Sequence, residues 1–135
     1  MKAIADTGFL VAFGNRHDVH HDWAVELAKR LREPLISCAA VLAESAFHLG
    51  STEFVLSLVK DEMLRLAFDL HRNLDQLEDL AVRYRDRKPE LADLCLIRMS
   101  ELFPKHAILT VDVADFRIDR RDKREAIPII SPPGL

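Results

Sequence analysis

The sequence has few of the residues that stabilise proteins with small cores. Only two cysteines, Cys38 and Cys95, occur among its 135 residues, and neither belongs to a CxxC pair. Neither a disulfide framework nor a zinc knuckle is therefore predicted, and free thiols suit a reducing cytoplasm. A chain of this length buries roughly two thirds of the surface that its unfolded form exposes. We expect one domain over residues 1–135, stabilised by its own core.

Long apolar runs and an excess of positive charge are also missing. No segment reaches the about eighteen consecutive apolar residues of a membrane-spanning helix, and Asp6 interrupts the apolar N-terminus early. We therefore expect neither a transmembrane helix nor a secretory signal peptide, and a cytoplasmic protein. Lys and Arg number 19 against 22 Asp and Glu, a net charge of −3. That balance argues against a simple basic clamp for nucleic acid, since clustered positive charge drives phosphate binding.

Short apolar strands alternate with helices along the chain. The periodicity predicts strands near residues 2–5, 35–36, 64–70, 107–111 and 127–130, and helices near 9–13, 22–31, 37–49, 52–63, 74–84 and 90–103. Asp18, Ser37 and either Ser51 or Thr52 are predicted to begin helices, and Gly50 to end one. The alternation predicts an α/β fold with a small, mostly parallel central sheet flanked by helices on both faces. Such sheets bind ligands at the carboxyl ends of their strands.

Four carboxylates stand where apolar residues are expected. Asp6 and Asp112 follow apolar strands, while Glu44 and Asp93 interrupt helices that are apolar on every side and are expected to be buried. A lone buried carboxylate costs roughly several kcal/mol unless it is paired, coordinated or neutralised. Taken singly, Asp6 can be a helix cap and Asp112 a loop acid. Arg98 is an available ion-pair partner for either of the other two.

Taken together, the four acids favour a shared metal site. An α/β sandwich can bring two strand ends and two neighbouring helices to one crevice. Two carboxylates about 4 Å apart repel by roughly 4 kcal/mol at an effective dielectric constant near 20, so a cluster of bare anions is untenable. Four oxygen donors without His or Cys suit a hard cation, and we predict Mg²⁺ or Mn²⁺.

The acids lie in four segments that span most of the chain: IADTGFL at 4–10, VLAE at 41–44, LAD at 91–93 and ILTVDVADF at 108–116. In order, spacing and chain length, these segments resemble those of the PIN-domain ribonucleases, in particular the VapC-type toxins of bacterial and archaeal toxin–antitoxin pairs. The resemblance implies a PIN-like α/β/α sandwich. It also implies a metal-dependent endoribonuclease, a hydrolase that leaves a 5′-phosphate and a 3′-hydroxyl on the cleaved RNA.

The same resemblance assigns roles to individual residues. It implies that Asp6, Asp93 and Asp112 hold the metal ion, with Thr7 beside them in a supporting role. Glu44 would either orient the attacking water or hold a second metal ion. Asp115 also fits the final acidic motif, and it competes with Asp112 for the role of last ligand.

Partners and alternative functions follow from the resemblance as well. Such toxins are usually homodimers and are silenced by a cognate antitoxin protein. One alternative is a PIN-like nuclease that acts in RNA maturation or on structured DNA. Another is a non-catalytic PIN-like binding domain, whose acids pair with Arg98 and its neighbours.

Two basic runs occur, at residues 83–88 and 117–125. A charge run is usually a solvated face, and we predict that role for the first. The second run directly follows the last acidic motif, so it leaves the predicted site. We therefore predict that Arg117, Arg120 and Arg121 bind RNA phosphates.

Histidines and aromatic residues offer weaker signals. The tract at residues 17–22 lacks the helical spacing of a zincin motif, and we predict a solvated helix entry there. An alternative is that His20 or His21 faces the crevice and contacts RNA. Trp23 is predicted to anchor its helix against the core or to form a dimer contact. Four phenylalanines on apolar faces are predicted to lie in the core: Phe13, Phe47, Phe54 and Phe103.

Overall fold

Seven short strands occur in the computed structural model, which describes residues 1–135. They are β1 (Ala3–Ala5), β2 (Leu35–Ser37), β3 (Leu64–Leu66), β4 (Ala107–Leu109), β5 (Arg120–Arg121), β6 (Glu125–Ala126) and β7 (Ile129–Ile130). Five of them form an all-parallel sheet in the order β3-β2-β1-β4-β7, while β5 pairs antiparallel with β6. The buried, apolar β1 and β2 are typical of a parallel sheet that is covered on both faces.

Seven α-helices surround this sheet. They are α1 (Thr7–Gly14), α2 (His21–Lys29), α3 (Ala39–Leu49), α4 (Thr52–Lys60), α5 (Leu74–Arg83), α6 (Leu91–Leu102) and α7 (Val113–Ile118). The crossovers through α1 to α4 lead from β1 outward to β3, and the crossover through α5 and α6 returns to β4 on the other side of β1. Right-handed crossovers that run in opposite directions place their helices on opposite faces. The predicted α/β class is confirmed. None of the helices is long and apolar enough to cross a membrane.

The order of the strands creates a crevice at one edge of the sheet. β1 lies at the centre, paired with β2 on one side and β4 on the other. The chain leaves β1 towards β2, whereas the chain leaving β4 continues towards β7 at the opposite edge. Parallel sheets bind ligands where successive connections diverge in this way. Asp6 directly follows β1, and Asp112 follows β4 after two residues, so both acids lie at this point.

The core packs mainly aliphatic side chains between the sheet and the helices. Ile4 and Ile108 of the central strands are completely buried, as is Leu10 of α1. Trp23 of α2 meets Phe9 edge to face, with ring centroids 5.7 Å apart. The predicted anchoring of Trp23 against the core is therefore confirmed.

The two helices that carry the misplaced acids differ in burial. α6 is buried along most of its length, as predicted. α3 is not buried on every side, because Ala39 and Ala43 are exposed and 81% of the Phe47 surface is accessible. The prediction that Phe47 lies in the core is therefore wrong. The other three phenylalanines pack against the core as predicted: Phe13, Phe54 and Phe103.

Two of the predicted caps are confirmed and two are wrong. Ser51 accepts a hydrogen bond at the start of α4, and Gly50 ends α3 with a φ of 67°. Ser37 belongs to β2 instead, where its hydroxyl donates to a carbonyl of β1. Asp18 accepts from the backbone N–H of His20, so it shapes the turn before α2 and does not cap the helix.

The remaining differences concern segments whose local pattern is ambiguous. The alternating residues at 64–70 predict one long strand, but β3 ends at Leu66 and a 3-10 turn, His71–Asn73, follows. The pattern also does not predict α7 or the β5–β6 hairpin, because charged residues dominate residues 115–125.

A close approach between α1 and the chain after β4 allows a stability test. A Cβ atom added at Gly8 would lie 2.5 Å from Cγ2 of Val111. We expect Gly8→Ala to lower the free energy of unfolding by about 1 to 2 kcal/mol, because overpacking outweighs the better helix propensity of alanine. Urea unfolding measures the change. The double variant Gly8→Ala/Val111→Ala should recover stability relative to the sum of the single variants, and strict additivity would refute the contact.

Candidate active site

One cavity of about 510 Å³ lies at the carboxyl edge of the sheet, where the connections after β1 and β4 diverge. All six residues predicted around the metal site line it: Asp6, Thr7, Glu44, Asp93, Asp112 and Asp115. They come from α1, α3, α6, α7 and the ends of β1 and β4. Chain segments that are distant in sequence therefore meet here, as the sequence predicts.

Asp6 is the most buried of the acids. It is 5% exposed, and its Oδ1 atom accepts a hydrogen bond of 2.8 Å from the backbone N–H of Phe9. Its own N–H donates to the carbonyl of Leu109, which ties it to the end of β4. Asp6 is therefore the N-cap of α1, as the simpler explanation of its position predicts. The capping hydrogen bond occupies Oδ1 and holds the carboxyl group in the wall of the cavity.

Glu44 extends from the half-buried side of α3 towards α1. The hydroxyl of Thr7 donates a 3.0 Å hydrogen bond to Oε2 of Glu44. This bond joins the first residue of α1 to the middle of α3, and it fixes the orientation of the glutamate side chain. Thr7 thus has a defined structural role beside the acids.

Asp93 lies in the first turn of α6. Its Oδ2 atom accepts a 3.1 Å hydrogen bond from the backbone N–H of Glu90, and a negative charge at this end of a helix is favourable. Arg98 does not reach any of the cavity acids. Its guanidinium instead pairs with Glu101 at 3.2 Å and donates to Asn73 at 2.9 Å. The alternative explanation, in which Arg98 pairs with Asp93 or Glu44, is therefore wrong.

Mutual proximity and burial shift the titration of these groups upward. Burial raises the pKa of Asp6 to about 7, and the charges of Asp112 and Asp93 act in the same direction. Partial burial, followed by a hydrogen bond and repulsion from Asp115, raises the pKa of Asp112 to about 6. Burial also raises the pKa of Glu44, with a contribution from Glu90. Burial and the neighbouring acids therefore both disfavour the charged forms of these carboxyl groups.

Two cavity acids and two cations lie outside the predicted set. Glu90 and Asp119 add to the carboxylates, and Arg87 and Lys88 supply positive charge. Arg87 forms ion pairs with Asp119 and, at 3.7 Å, with Asp115. Glu90 precedes Asp93 by three residues, which is capping-box spacing and a signal that could have found it. Arg87 and Asp119 are 32 residues apart, and no local pattern connects them.

The basic runs lie differently around the cavity from what the sequence predicts. Cavity cations come from residues 83–88, the run predicted to be only a solvated face. In the second run, Arg121 is 5% exposed and its guanidinium donates to the carbonyls of Ser100 and Pro104 and to Glu125. The prediction that Arg121 binds RNA is therefore corrected, because its donors stabilise the packing of β5 on α6.

The other two arginines of the second run are less available than predicted. The guanidinium of Arg120 donates to the backbone carbonyls of Arg117 and Asp119. The Arg117 side chain is exposed and reaches the carbonyl of Leu135 only at 3.5 Å. Neither residue lines the cavity. Of the three predicted RNA ligands, Arg117 is exposed, Arg120 is half-buried and Arg121 is buried.

The histidine tract lies away from the acids. His21 donates from Nδ1 to the carbonyl of Ala12 at 2.8 Å. Together with His17 and His48 it lines a second cavity of about 480 Å³. Neither His20 nor His21 lines the cavity of the acids, so the alternative that one of them faces the crevice is wrong.

The donor set fits a hard divalent cation in its chemistry. The acids offer carboxylate oxygens only, and burial, followed by repulsion between the acids, raises the pKa values of Asp6 and Asp112; a bound cation would offset both effects. No three His, Cys, Asp or Glu side chains of the chain converge closely enough in this structure to hold a metal ion. Metal binding therefore requires side-chain rotation, which the exposure of Asp112 permits.

Comparison with known proteins finds no family that matches this chain and no similar curated protein.

The raised pKa of Asp6 predicts a pH-dependent effect of Asp6→Asn. Between about pH 4, where an unfolded aspartate ionises, and pH 7, the native chain retains a proton that the unfolded chain has lost, so wild-type stability falls as pH rises. Asparagine caps a helix as well as aspartate and cannot ionise. We expect the variant to gain up to about 4 kcal/mol above pH 7 and little near pH 4.

Urea unfolding in chelator at a series of pH values measures this gain. Asp79→Asn is a matched control, because Asp79 is exposed on α5 and outside the cavity. If Asp6→Asn raised the free energy of unfolding by the same amount at every pH, ionisation of the buried Asp6 would not be what destabilises the wild type.

Proposed function

We propose that the protein is a Mg²⁺- or Mn²⁺-dependent endoribonuclease of the PIN-like type, acting as a VapC-type toxin. The observation that carries the proposal is the meeting of the four predicted acids in one cavity at the carboxyl edge of a parallel sheet: Asp6, Glu44, Asp93 and Asp112. Without Arg98 as a neutralising partner, the acids lack the counter-ion on which the non-catalytic alternative relied.

In this proposal Asp6, Asp93 and Asp112 hold the metal ion. Asp112 is favoured over Asp115 as the third ligand, because Asp115 already pairs with Arg87 while Asp112 makes no ion pair. When bound, the cation supplies Lewis-acid polarisation of the scissile phosphate and a lower pKa for the attacking water. Asp6 would hold the metal ion from a fixed position, because it is buried and its carboxylate accepts a hydrogen bond from α1.

Glu44 is proposed to take the proton of the attacking water. The Thr7 hydroxyl orients its carboxylate, and burial raises the pKa of Glu44 above the ordinary value of a glutamate. A base works best when its pKa lies nearer to the working pH, so this shift favours proton transfer. No side chain in the cavity need act as a nucleophile.

The biological partners in this proposal come from the resemblance to toxin–antitoxin pairs. They are an RNA substrate, a cognate antitoxin protein and a second copy of the chain in a homodimer. The antitoxin would silence the nuclease until it is removed.

Metal binding predicts a stabilisation that grows with concentration. A ligand that binds only the native state stabilises it by about 2.7 kcal/mol at a hundred times its Kd. We expect the melting temperature of the wild type to rise steadily with Mg²⁺ or Mn²⁺, and Asp93→Asn to remove most of the rise. Asp79→Asn should respond as the wild type does. Equal responses of Asp93→Asn and the wild type would exclude Asp93 as a ligand.

RNA cleavage in cells tests both the reaction and the substrate. Sequencing of 5′-monophosphate ends after induction should reveal new RNA ends with the wild type and with Asp79→Asn. Asp93→Asn should produce none and should not arrest growth. Purified wild-type protein should cleave RNA with Mg²⁺ and stop in excess chelator.

Full cleavage by Asp93→Asn or in chelator would overturn the proposal. Cleavage of structured DNA in place of RNA would favour the alternative PIN-like nuclease. Ends confined to one precursor RNA, without growth arrest, would favour a role in RNA maturation.

A further inference from the structure

The segment at residues 84–90 connects α5 to α6 along the wall of the acidic cavity. Five of its seven residues line the cavity: Tyr84, Arg87, Lys88, Pro89 and Glu90. A 3-10 turn, Arg85–Arg87, leads into Lys88, which adopts a left-handed conformation with φ 49° and ψ 56°. The chain then enters α6 and reaches Asp93. This segment therefore supplies the side chains that lie next to the carboxyl groups on this side of the cavity.

The conformation of Lys88 is unfavourable on two counts. A left-handed backbone is unfavourable for a residue with a Cβ atom, because the Cβ comes too close to the following carbonyl oxygen. A residue before proline is also usually extended, because the proline ring crowds it. Backbone strain of this kind concentrates at functional sites, where the surrounding structure maintains it. The strained residue here is one of only two cations in the cavity wall.

The two cations differ in how their charge is used. Arg87 pairs with Asp119 and Asp115, and its guanidinium lies 5.3 Å from the centre of the Tyr84 ring. Lys88 takes part in none of the six ion pairs of the chain and donates no side-chain hydrogen bond. Lys88 is thus the cavity cation with an uncommitted charge.

A polyanionic substrate needs that charge. Seven carboxyl groups line the cavity, and the chain as a whole carries a net charge of −3. A bound divalent cation would cancel only part of the negative charge that an RNA phosphate meets. None of the cations of the second basic run lines the cavity, and Arg87 is already paired. Lys88 is the residue that can offer an ammonium group to a phosphate there.

We infer that Lys88 binds a phosphate group of the RNA strand beside the carboxylate cavity, and that its left-handed backbone presents the side chain for this contact. The inference rests on the proposed function and adds a substrate-binding residue to it. An ammonium group is a compact point charge with three donors, suited to a phosphate that is held by charge more than by fixed geometry. Arg87 serves as a positioning residue, since its bonds to the carboxylates hold the 3-10 turn in place.

Binding of a fluorescein-labelled oligouridylate, measured by fluorescence anisotropy in an Asp93→Asn background that keeps the RNA intact, tests the inference. We expect Lys88→Ala to weaken binding by about tenfold at low salt, as loss of a charge-assisted hydrogen bond does. The slope of log K against log salt should become shallower by about 0.7, the value for one phosphate on a single strand. Lys88→Arg should retain most of the affinity.

Two controls separate the contact from general charge and from folding. Arg85→Ala removes an exposed cation of the same turn that does not line the cavity, and it should change the affinity little. Lys88→Gly removes the charge, so it should weaken RNA binding as Lys88→Ala does. Because glycine suits the left-handed backbone, this variant should unfold at a urea concentration equal to or higher than that of the wild type.

The cleavage reaction of otherwise wild-type protein provides a second readout. Lys88→Ala should raise KM several-fold with a smaller change in kcat, because the contact is made in the bound substrate as well as in the transition state. If the wild type cleaves RNA but Lys88→Ala and Arg85→Ala bind alike, this inference fails while the proposed function stands. If the wild type neither binds nor cleaves RNA, both fail.

Discussion

Like charges crowd together at one edge of this sheet, and much of the local structure serves to hold them there. Three of the four proposed site acids accept a hydrogen bond that holds the side chain: from a backbone N–H of α1 for Asp6, from the Thr7 hydroxyl for Glu44 and from the N–H before α6 for Asp93. Arg87 compensates the acids at the rim. These bonds are individually modest, but a carboxylate without them would leave the cavity for water. The hydrogen bonds thus hold the carboxylates close together despite their mutual repulsion, and a cation bound among them would reduce that repulsion.

The topology of the sheet explains why acids so distant in sequence share a cavity. The chain leaves the central strand β1 towards β2 on one side and adds β4 on the other side only later. Connections that diverge in this way leave a crevice at the carboxyl end of the central strand. Two acids then follow strands directly, and two more come from helices whose first turns start at the same edge. Helix starts also favour negative charge, which lowers the cost of placing Asp93 there. The fold and the acidic site therefore have the same origin.

The sequence predicted the features that depend on local pattern and failed where tertiary contacts decide. Strands, most helices and the convergence of the acids follow from periodicity and from the position of each acid within its element. Whether a cation turns inward does not: Arg121 is buried by carbonyl groups of a distant helix end, and Arg87 meets Asp119 across 32 residues. A charge run records composition, but not which side chain faces the cavity. Phe47 likewise belongs to an apolar helix, α3, of which only one face packs against the core, and Phe47 lies on the exposed face.

The pairing of β1 with β4 has a consequence for when the cavity can exist. Ala3 is in register with Ala107, so β1, the strand that Asp6 follows, acquires one of its two neighbours only after more than a hundred residues. Contacts of such long sequence separation form late, because the intervening chain must first be ordered. Until β4 has paired with β1, Asp6 is in place at the end of its strand but Asp112 is not beside it. A growing or truncated chain thus carries most of the acids but no assembled cavity, and any chemistry at this edge begins only when the last strands dock.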